Sequence, residues 1–396
     1  MSKVTIDVRY FKVIGLWQYL VPESGTNYMV ILNLILGILF TIQITIQMWN
    51  NILAGYEFST FTEKFSVNLT CFESAIKMLY YCSQKTSLKF LIKSFNSNFL
   101  LCSKHNEEAT ERVMSKCADF VNRSTKSFMY MIFSTVTVWN ALPILKCISG
   151  DCGSWQIMPS WYPFDTTYFP VNGLIYIFEF YVMVFCAALL YNVNCLFSAL
   201  ALSIAAQFDL LVTSLSSIPQ NAERLAKKES KEEIMSLLLR DCLMDHQNLL
   251  RLTKELERMY NPMFLFQMLT STFTICLVLV QLNEYLGASD QLSIPLACKF
   301  IMYLVFGSAE LFIYSWGGQI IYDKTSNVHR SLYETGWDQA SVKFRKCVLF
   351  AMTRSYRPDS LTAGKFYTVD LNSFTQTIKA SYSYFTVLRG SDSKKH

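Results

Sequence analysis

Charge is scarce in this chain. Asp, Glu, Lys and Arg make up 16% of its 396 residues, against about a quarter in ordinary soluble domains. A soluble chain of this length would split into roughly two or three domains with polar surfaces, and the shortage of charge argues against that class. No internal repeat and no low-complexity segment is visible. There is no Walker loop, zinc signature or nucleophile elbow, and His105, His246, His329 and His396 are scattered. No enzyme, cofactor or metal site is therefore expected. The net charge of +5 is modest, and no nucleic-acid partner is expected from it. The first stretch carries charges and Pro22 but no leading apolar run, so no cleavable signal peptide is read there.

What is present is apolar sequence in long runs. Hydrophobic residues make up 52% of the chain and aromatics 15%, and the mean hydropathy is positive. A bilayer core needs about 20 mostly apolar residues in a helix. Clear spans lie at 29–49, 127–146, 171–207, 262–286 and 296–322. The stretch 66–92 is a weaker second span that contains Glu73 and Lys77. The stretch 366–389, rich in Ser, Thr, Asn and Gln, is weaker still as a seventh. The expected fold class is all-α: one seven-transmembrane helical bundle over 1–396.

Loop charge sets the expected orientation. Lys and Arg number three in 1–28 and eight in each of 85–126, 224–258 and 324–365. The alternate stretches hold one, one, none and three. The positive-inside rule places the rich side in the cytoplasm. The N-terminus is then cytoplasmic and, with seven spans, the C-terminus is extracellular. A G-protein-coupled receptor has the opposite orientation. The segment before the fifth span places Ile234, Leu237, Leu238, Cys242, Met244, Leu249, Leu252 and Leu256 near helical spacing. Helices extended into a packed cytoplasmic anchor at 208–261 and 323–365 are expected, with a simple solvated hairpin as the alternative. Asn261-Pro262 predicts a break or kink.

The seventh segment carries a polar stripe. At 100° per residue, Gln376, Lys379, Ser383, Thr386, Val387 and Gly390 fall within about 60° of Asn372. Phe374, Ile378, Phe385 and Leu388 fall on the opposite face. Lipid cannot satisfy such a stripe, so it faces protein or water. Several copies around an axis would line an aqueous pore; alternatively the stripe packs into the chain's own bundle through interhelical hydrogen bonds. A valine at the end of such a stripe suits a gate that closes by dewetting.

From Phe312 onward the residues carry a family likeness. FIYSWGGQII at 312–321 is followed by Ser331, Tyr333 and Trp337, then RPDSLTAGKFYTVDLNSF at 357–374 and KASYSYFTVLR at 379–389. This order and spacing resembles the C-terminal signature of insect odorant receptors. FKVIGLWQYLVP at 11–22 and the seven-span layout resemble that family too. The related gustatory receptors carry a TY motif, five apolar residues and QF in their last helix, and this chain has Tyr384-Phe385 without QF.

The resemblance implies a subunit of a tetrameric cation channel, a heterotetramer formed with the odorant receptor co-receptor in the plasma membrane of the olfactory neuron dendrite. The co-receptor carries an insertion between the fourth and fifth spans that is missing here, which implies a ligand-tuning subunit. The last helix would line the pore, with the gate at Val387 beside Gln376, Ser383 and Thr386. Arg389 and Gly390 stand where the co-receptor has a polar Gln after its gate valine, so the constriction here is expected to be weaker or asymmetric. A small volatile odorant or pheromone would bind in the outer half of the bundle. The expected pocket residues are Leu69, Phe72 and Ile76 in the second span and Thr135, Val138 and Trp139 in the third. Tyr176, Phe180 and Met183 follow in the fourth span, and Phe300, Tyr303 and Phe306 in the sixth. The alternative reading is a gustatory-type or metabotropic seven-helix chemoreceptor, with a transporter more distant because no inverted repeat is visible.

Glu73 and Lys77 can pair at i,i+4 spacing. Glu179 and Glu310 are acids on apolar helices, candidates for hydrogen bonds to neighbours or for an ion path. Cys147 and Cys152 flank a short outer loop where a disulfide is plausible, and the remaining cysteines are read as free thiols. The sequon at Asn68 lies close to the membrane, and the one at Asn122 falls on the cytoplasmic side.

Overall fold

The computed structural model describes residues 42–50, 52–53, 58–96, 100–101, 107–148, 156–158, 160–162, 164–166, 168–226, 230–287 and 294–392. Of the expected first span, only 42–49 lies among them, and it is helical. The helices that follow are α1 (Phe58–Ser83), α2 (Lys85–Asn96), α3 (Glu107–Ile148) and α4 (Val171–Ser216). Next come α5 (Ile218–Leu225), α6 (Lys231–Gly287), α7 (Ile294–Tyr333), α8 (Val342–Ser355) and α9 (Leu371–Asp392). The only described strands are Thr362–Ala363 (β1) and Tyr367–Thr368 (β2), an antiparallel pair. The helical bundle expected from the hydropathy is present.

Length shows which helices outgrow a membrane. At 1.5 Å per residue, the 46 residues of α4 and 57 of α6 run far beyond a hydrocarbon core of about 30 Å. By length and composition, α3, α4, α6 and α7 contain stretches apolar enough to cross a membrane. The extra lengths are packed. The largest core cluster takes Leu211 and Leu215 from α4, Ile234, Leu238 and Leu252 from α6, Val328 and Leu332 from α7, and Phe344 and Val348 from α8. Of the periodic apolar residues before the fifth span, Leu237 and Met244 are exposed and the others are buried. In the same stretch Asp245 and His246 are buried. Asp245 accepts the Leu101 backbone N–H at 2.9 Å.

Close helix approach depends on two glycines of the SWGG run. A Cβ at Gly317 would stand 2.6 Å from the Phe197 ring, and one at Gly318 would overlap the Val369 carbonyl oxygen. Phe197 is fully buried and meets Tyr260, Phe264 and Tyr314 at centroid distances of 5.0–5.3 Å. That aromatic node joins α4, α6 and α7.

Three boundaries differ from the sequence reading. The expected second span at 66–92 starts earlier, at Phe58, and is interrupted at Gln84 before α2 continues. Pro262 does not end the fifth helix: α6 runs through it. The β-hairpin is fastened at that point, with the Asn261 side chain donating to the Thr362 carbonyl at 2.7 Å and Gly364 N–H donating to the Asn261 carbonyl. The seventh helix begins at Leu371 rather than 366, because 362–368 is spent in that hairpin. Gly364 and Lys365 turn it with left-handed backbone.

Candidate functional site

A cavity of about 90 Å³ lies between α1, α3, α4 and α7. It sits in the half of the bundle away from the packed ends of α4 and α6. Tyr303 of α7 forms one wall. Its hydroxyl donates to the Ser66 carbonyl at 2.9 Å and is bonded to the Thr70 hydroxyl at 2.5 Å, so its polar tip is spent on α1 and the ring serves as wall. Trp139 of α3 meets Tyr303 edge-on, 5.6 Å between centroids. The Lys299 ammonium lies 4.2 Å over the Trp139 ring and pairs with Glu63 at 3.1 Å. A cation over an indole face is an attractive contact that strengthens when desolvated, and Lys299 is buried.

The cover comes from the segment before α4. Glu179 accepts the backbone N–H groups of Ile157 at 2.6 Å and Met158 at 3.0 Å, and the Tyr162 hydroxyl at 3.1 Å. Glu179 thereby holds Met158, which lines the cavity. Gln47 bonds both backbone groups of Trp161. Of the two roles open to Glu179 from the sequence, the geometry shows the hydrogen bonds to neighbours.

Five expected pocket residues line this cavity: Thr135, Trp139, Met183, Tyr303 and Phe306. Seven do not. Leu69, Phe72 and Ile76 are not among its lining, whereas Val67, Thr70 and Cys71 of the same helix line it. Val138 is replaced by Ile132 and Val136. Phe180 is 46% exposed on the outside of α4. Tyr176 donates to the Asn140 carbonyl at 3.0 Å, and Phe300 packs toward Tyr285. The fourth helix contributes Cys186, Ala187 and Leu190 instead, about two to four turns further along. Several of the other lining residues are small. Beside large rings, Thr70, Cys71, Cys186 and Ala187 leave the empty volume, and that contrast of sizes was the available signal.

A buried ionic network joins α1, α4, α6 and α7. Lys77 pairs with Glu73 at 2.6 Å and with Glu310 at 2.7 Å, and it donates to Gln267. Asn194 donates to Glu310 at 2.9 Å and accepts the Tyr314 hydroxyl at 2.5 Å. The side chains of Lys77, Glu73 and Glu310 are nearly excluded from solvent. Removing one partner from such a group costs roughly 3–5 kcal/mol, because a charge is left buried and uncompensated. Among the described residues no group of His, Cys, Asp and Glu is arranged to hold a metal.

On α9 the polar stripe is outward. Asn372, Gln376, Lys379, Ser383, Thr386 and Gly390 are exposed, and Val387 is 64% exposed. The buried face is Ser373, Thr377, Ser381 and Phe385. The Thr377 and Ser381 hydroxyls donate to the carbonyls four residues back at 2.8 and 2.9 Å. These small residues let α9 lie close along α6, where Phe385 packs with Cys276 and Val280. Of the predicted opposite face, Phe385 is buried and Phe374, Ile378 and Leu388 are half-buried. Cys147 is disulfide-bonded; Cys152 lies outside the described residues. Asn68 is buried within α1, where a glycan has no room.

The comparisons with known proteins agree on one relationship. The sequence profile described as 7tm Odorant receptor matches residues 57–382. Odorant receptor 85c of Drosophila melanogaster is 24% identical over 324 residues, 79% of this chain and 78% of its own length. Odorant receptor 13a of the same organism is 28% identical over 176 residues, 41% of this chain and 40% of its own. The fold is similar to that of the insect olfactory receptor OR5 from Machilis hrabei in complex with eugenol, with a TM-score of 0.78 and 19% identity. That match covers 97% of this chain and 98% of the other. With the profile spanning most of the chain and the fold matching throughout, this chain belongs to the 7tm Odorant receptor family.

Proposed function

We propose that this chain is the ligand-tuning subunit of an odorant-gated, non-selective cation channel, assembled with the odorant receptor co-receptor as a heterotetramer in the dendritic plasma membrane. The observation that carries the reading is the small apolar cavity walled by Tyr303 and Trp139 and covered by Met158. Such a site binds neutral volatiles by burial and shape. Its volume is less than the roughly 150 Å³ of an apolar cavity that accepts benzene, so a ring-sized odorant enters as the flexible thioethers of Met158 and Met183 give way. Eugenol, bound by the Machilis hrabei receptor, is of the expected ligand class.

Opening is assigned to α9. The exposed stripe from Asn372 to Gly390 would line a shared aqueous path, and Val387 would form the dewetting constriction. The basic ends of the bundle face the cytoplasm in this reading, with 208–261 and 323–365 as the anchor. A metabotropic receptor would be inverted. An epitope tag after His396 tests the difference: on intact, unpermeabilised cells the tag is expected to bind antibody, and protection until permeabilisation contradicts the proposal.

A further inference from the structure

A second, larger cavity of about 420 Å³ lies nearer the packed ends of the helices, between α3, α4 and α7. We propose that it is a binding site for a neutral, ring-bearing alcohol of the sterol kind, which enters from the bilayer with its ring head inside and its tail in lipid. The volume is within the range of about 300–1,000 Å³ usual for small-molecule sites. None of the lining residues is charged, which excludes an ionic head group, since a bound ion would lie desolvated and unpaired.

The lining also offers acceptors to a ligand hydrogen-bond donor. The Ser124 hydroxyl donates to the Phe120 carbonyl, Thr125 to Val121 and Ser198 to Asn194, each at 2.9 Å. Their protons are committed and their oxygen lone pairs remain, so a ligand O–H finds three acceptors here, whereas a ketone can use only the Ser127 hydroxyl and the Trp316 indole N–H as donors. Rings supply the rest of the wall. Phe120 and Trp316 face each other across α3 and α7 at 5.4 Å. Phe120 and Phe312 are 40% and 42% exposed, which marks an opening on the outer surface. On another face of α3, Tyr130 and Phe133 are 66% and 70% exposed, as lipid-facing residues are.

The site is separate from the first cavity and is placed to influence the same helix. Phe128, on its wall, stacks on Phe306 of the first cavity at 6.0 Å. Phe312, on its opposite wall, meets Phe374 of α9 at 5.7 Å. Asn194, also on the wall, holds Glu310 of the buried network.

The test is photolabelling of the purified full-length protein in phosphatidylcholine vesicles doped with a diazirine-bearing cholesterol, with labelled peptides mapped by mass spectrometry. Label is expected on 120–131, 194–198 and 309–316 well above that on the exposed face around Phe133. Ala309→Phe, which fills the cavity, should cut label at these segments by about tenfold, equivalent to about 1.4 kcal/mol of binding, and leave label around Phe133 unchanged. Thr125→Val, which keeps the shape and removes an acceptor, is the second variant; both are checked for an unaltered gel-filtration profile. Should Ala309→Phe not fold, Thr125→Val and competition decide. Excess unlabelled cholesterol should compete, and its 3-keto analogue, which lacks the O–H, should compete about tenfold less well. Label no higher than around Phe133, label unmoved by every folded variant, or equal competition by alcohol and ketone overturns the proposal.

Discussion

At Tyr303 the ring and the hydroxyl have separate tasks. The hydroxyl ties α7 to α1 through Ser66 and Thr70, and the ring closes the cavity against Trp139. Tyr303→Ala should therefore move odorant half-maximal concentrations, with small ligands losing up to roughly 3 kcal/mol of contact, while assembly persists. Tyr303→Phe keeps the wall and should cost only about 1 kcal/mol, the net worth of a hydrogen bond. Dose-response curves across a volatile panel check both, and curves unchanged in Tyr303→Ala remove it from the site. A second residue gives a pH signature. His246 lies in α6 ahead of the expected span at 262–286. Burial pushes its imidazole down to about 4, with the Arg354 charge adding to the effect and Asp359 opposing it. Its unfolded value is near 6.5, so the neutral form is the folded one. Stability from this group is full above about pH 6.5 and falls as pH drops toward 4, by about 3 kcal/mol in all. Thermal unfolding of the detergent-solubilised protein should show that slope, and His246→Gln should flatten it. These details were the least legible in the sequence. Apolar runs show that a helix is buried, but the cavity is lined by Thr70 and Cys71, which lie between the expected Leu69 and Phe72, and nothing in a continuous apolar run fixes which residues face inward.

Helices were easier to read than contacts, where their apolar content was continuous. The fourth, fifth and sixth spans fall inside α4, α6 and α7. The errors arose where a local signal competed with packing. Pro262 suggested a break or a kink; α6 runs through it without a break, supported by the contacts of Asn261 with the hairpin. The seventh helix was legible by periodicity rather than hydropathy: its outward polar face and its inner Ser373–Thr377–Ser381 face are both polar, and only the geometry tells them apart. The pore assignment makes a prediction for this element. Val387→Ser should raise ligand-independent current in the assembled channel, because a polar ring retains water where an apolar one dewets, while the odorant rank order stays the same. The rise is partial if co-receptor subunits supply their own gate residues to the ring. Lys379→Gln should raise cation conductance by removing a like charge from the path. Should both variants leave basal current, conductance and selectivity unchanged, the stripe does not line the pore.

On the scale of the whole molecule, two regions of different make-up share continuous helices. The end holding the first cavity sets small residues and loop-held Met158 beside the Trp139 and Tyr303 rings. The opposite end is a dense core drawn from α4, α5, α6, α7 and α8. Between them lies the Glu73–Lys77–Glu310 network, which cross-links the helices where a ligand-induced shift would have to pass toward α9. Composition announced the helical bundle, because membrane solvation acts on every residue of a span and leaves a mark too broad to miss. The proposed partnership with a co-receptor leaves no comparable mark and needs a functional measurement. Whole-cell currents evoked by a panel of small volatiles, with G-protein signalling blocked, test the central claim most directly. Rapid non-selective cation current is predicted when this chain and the co-receptor are expressed together, and little or none from this chain alone. Robust odorant-evoked current from this chain alone, or a joint response that disappears when G-protein signalling is blocked, would contradict the account.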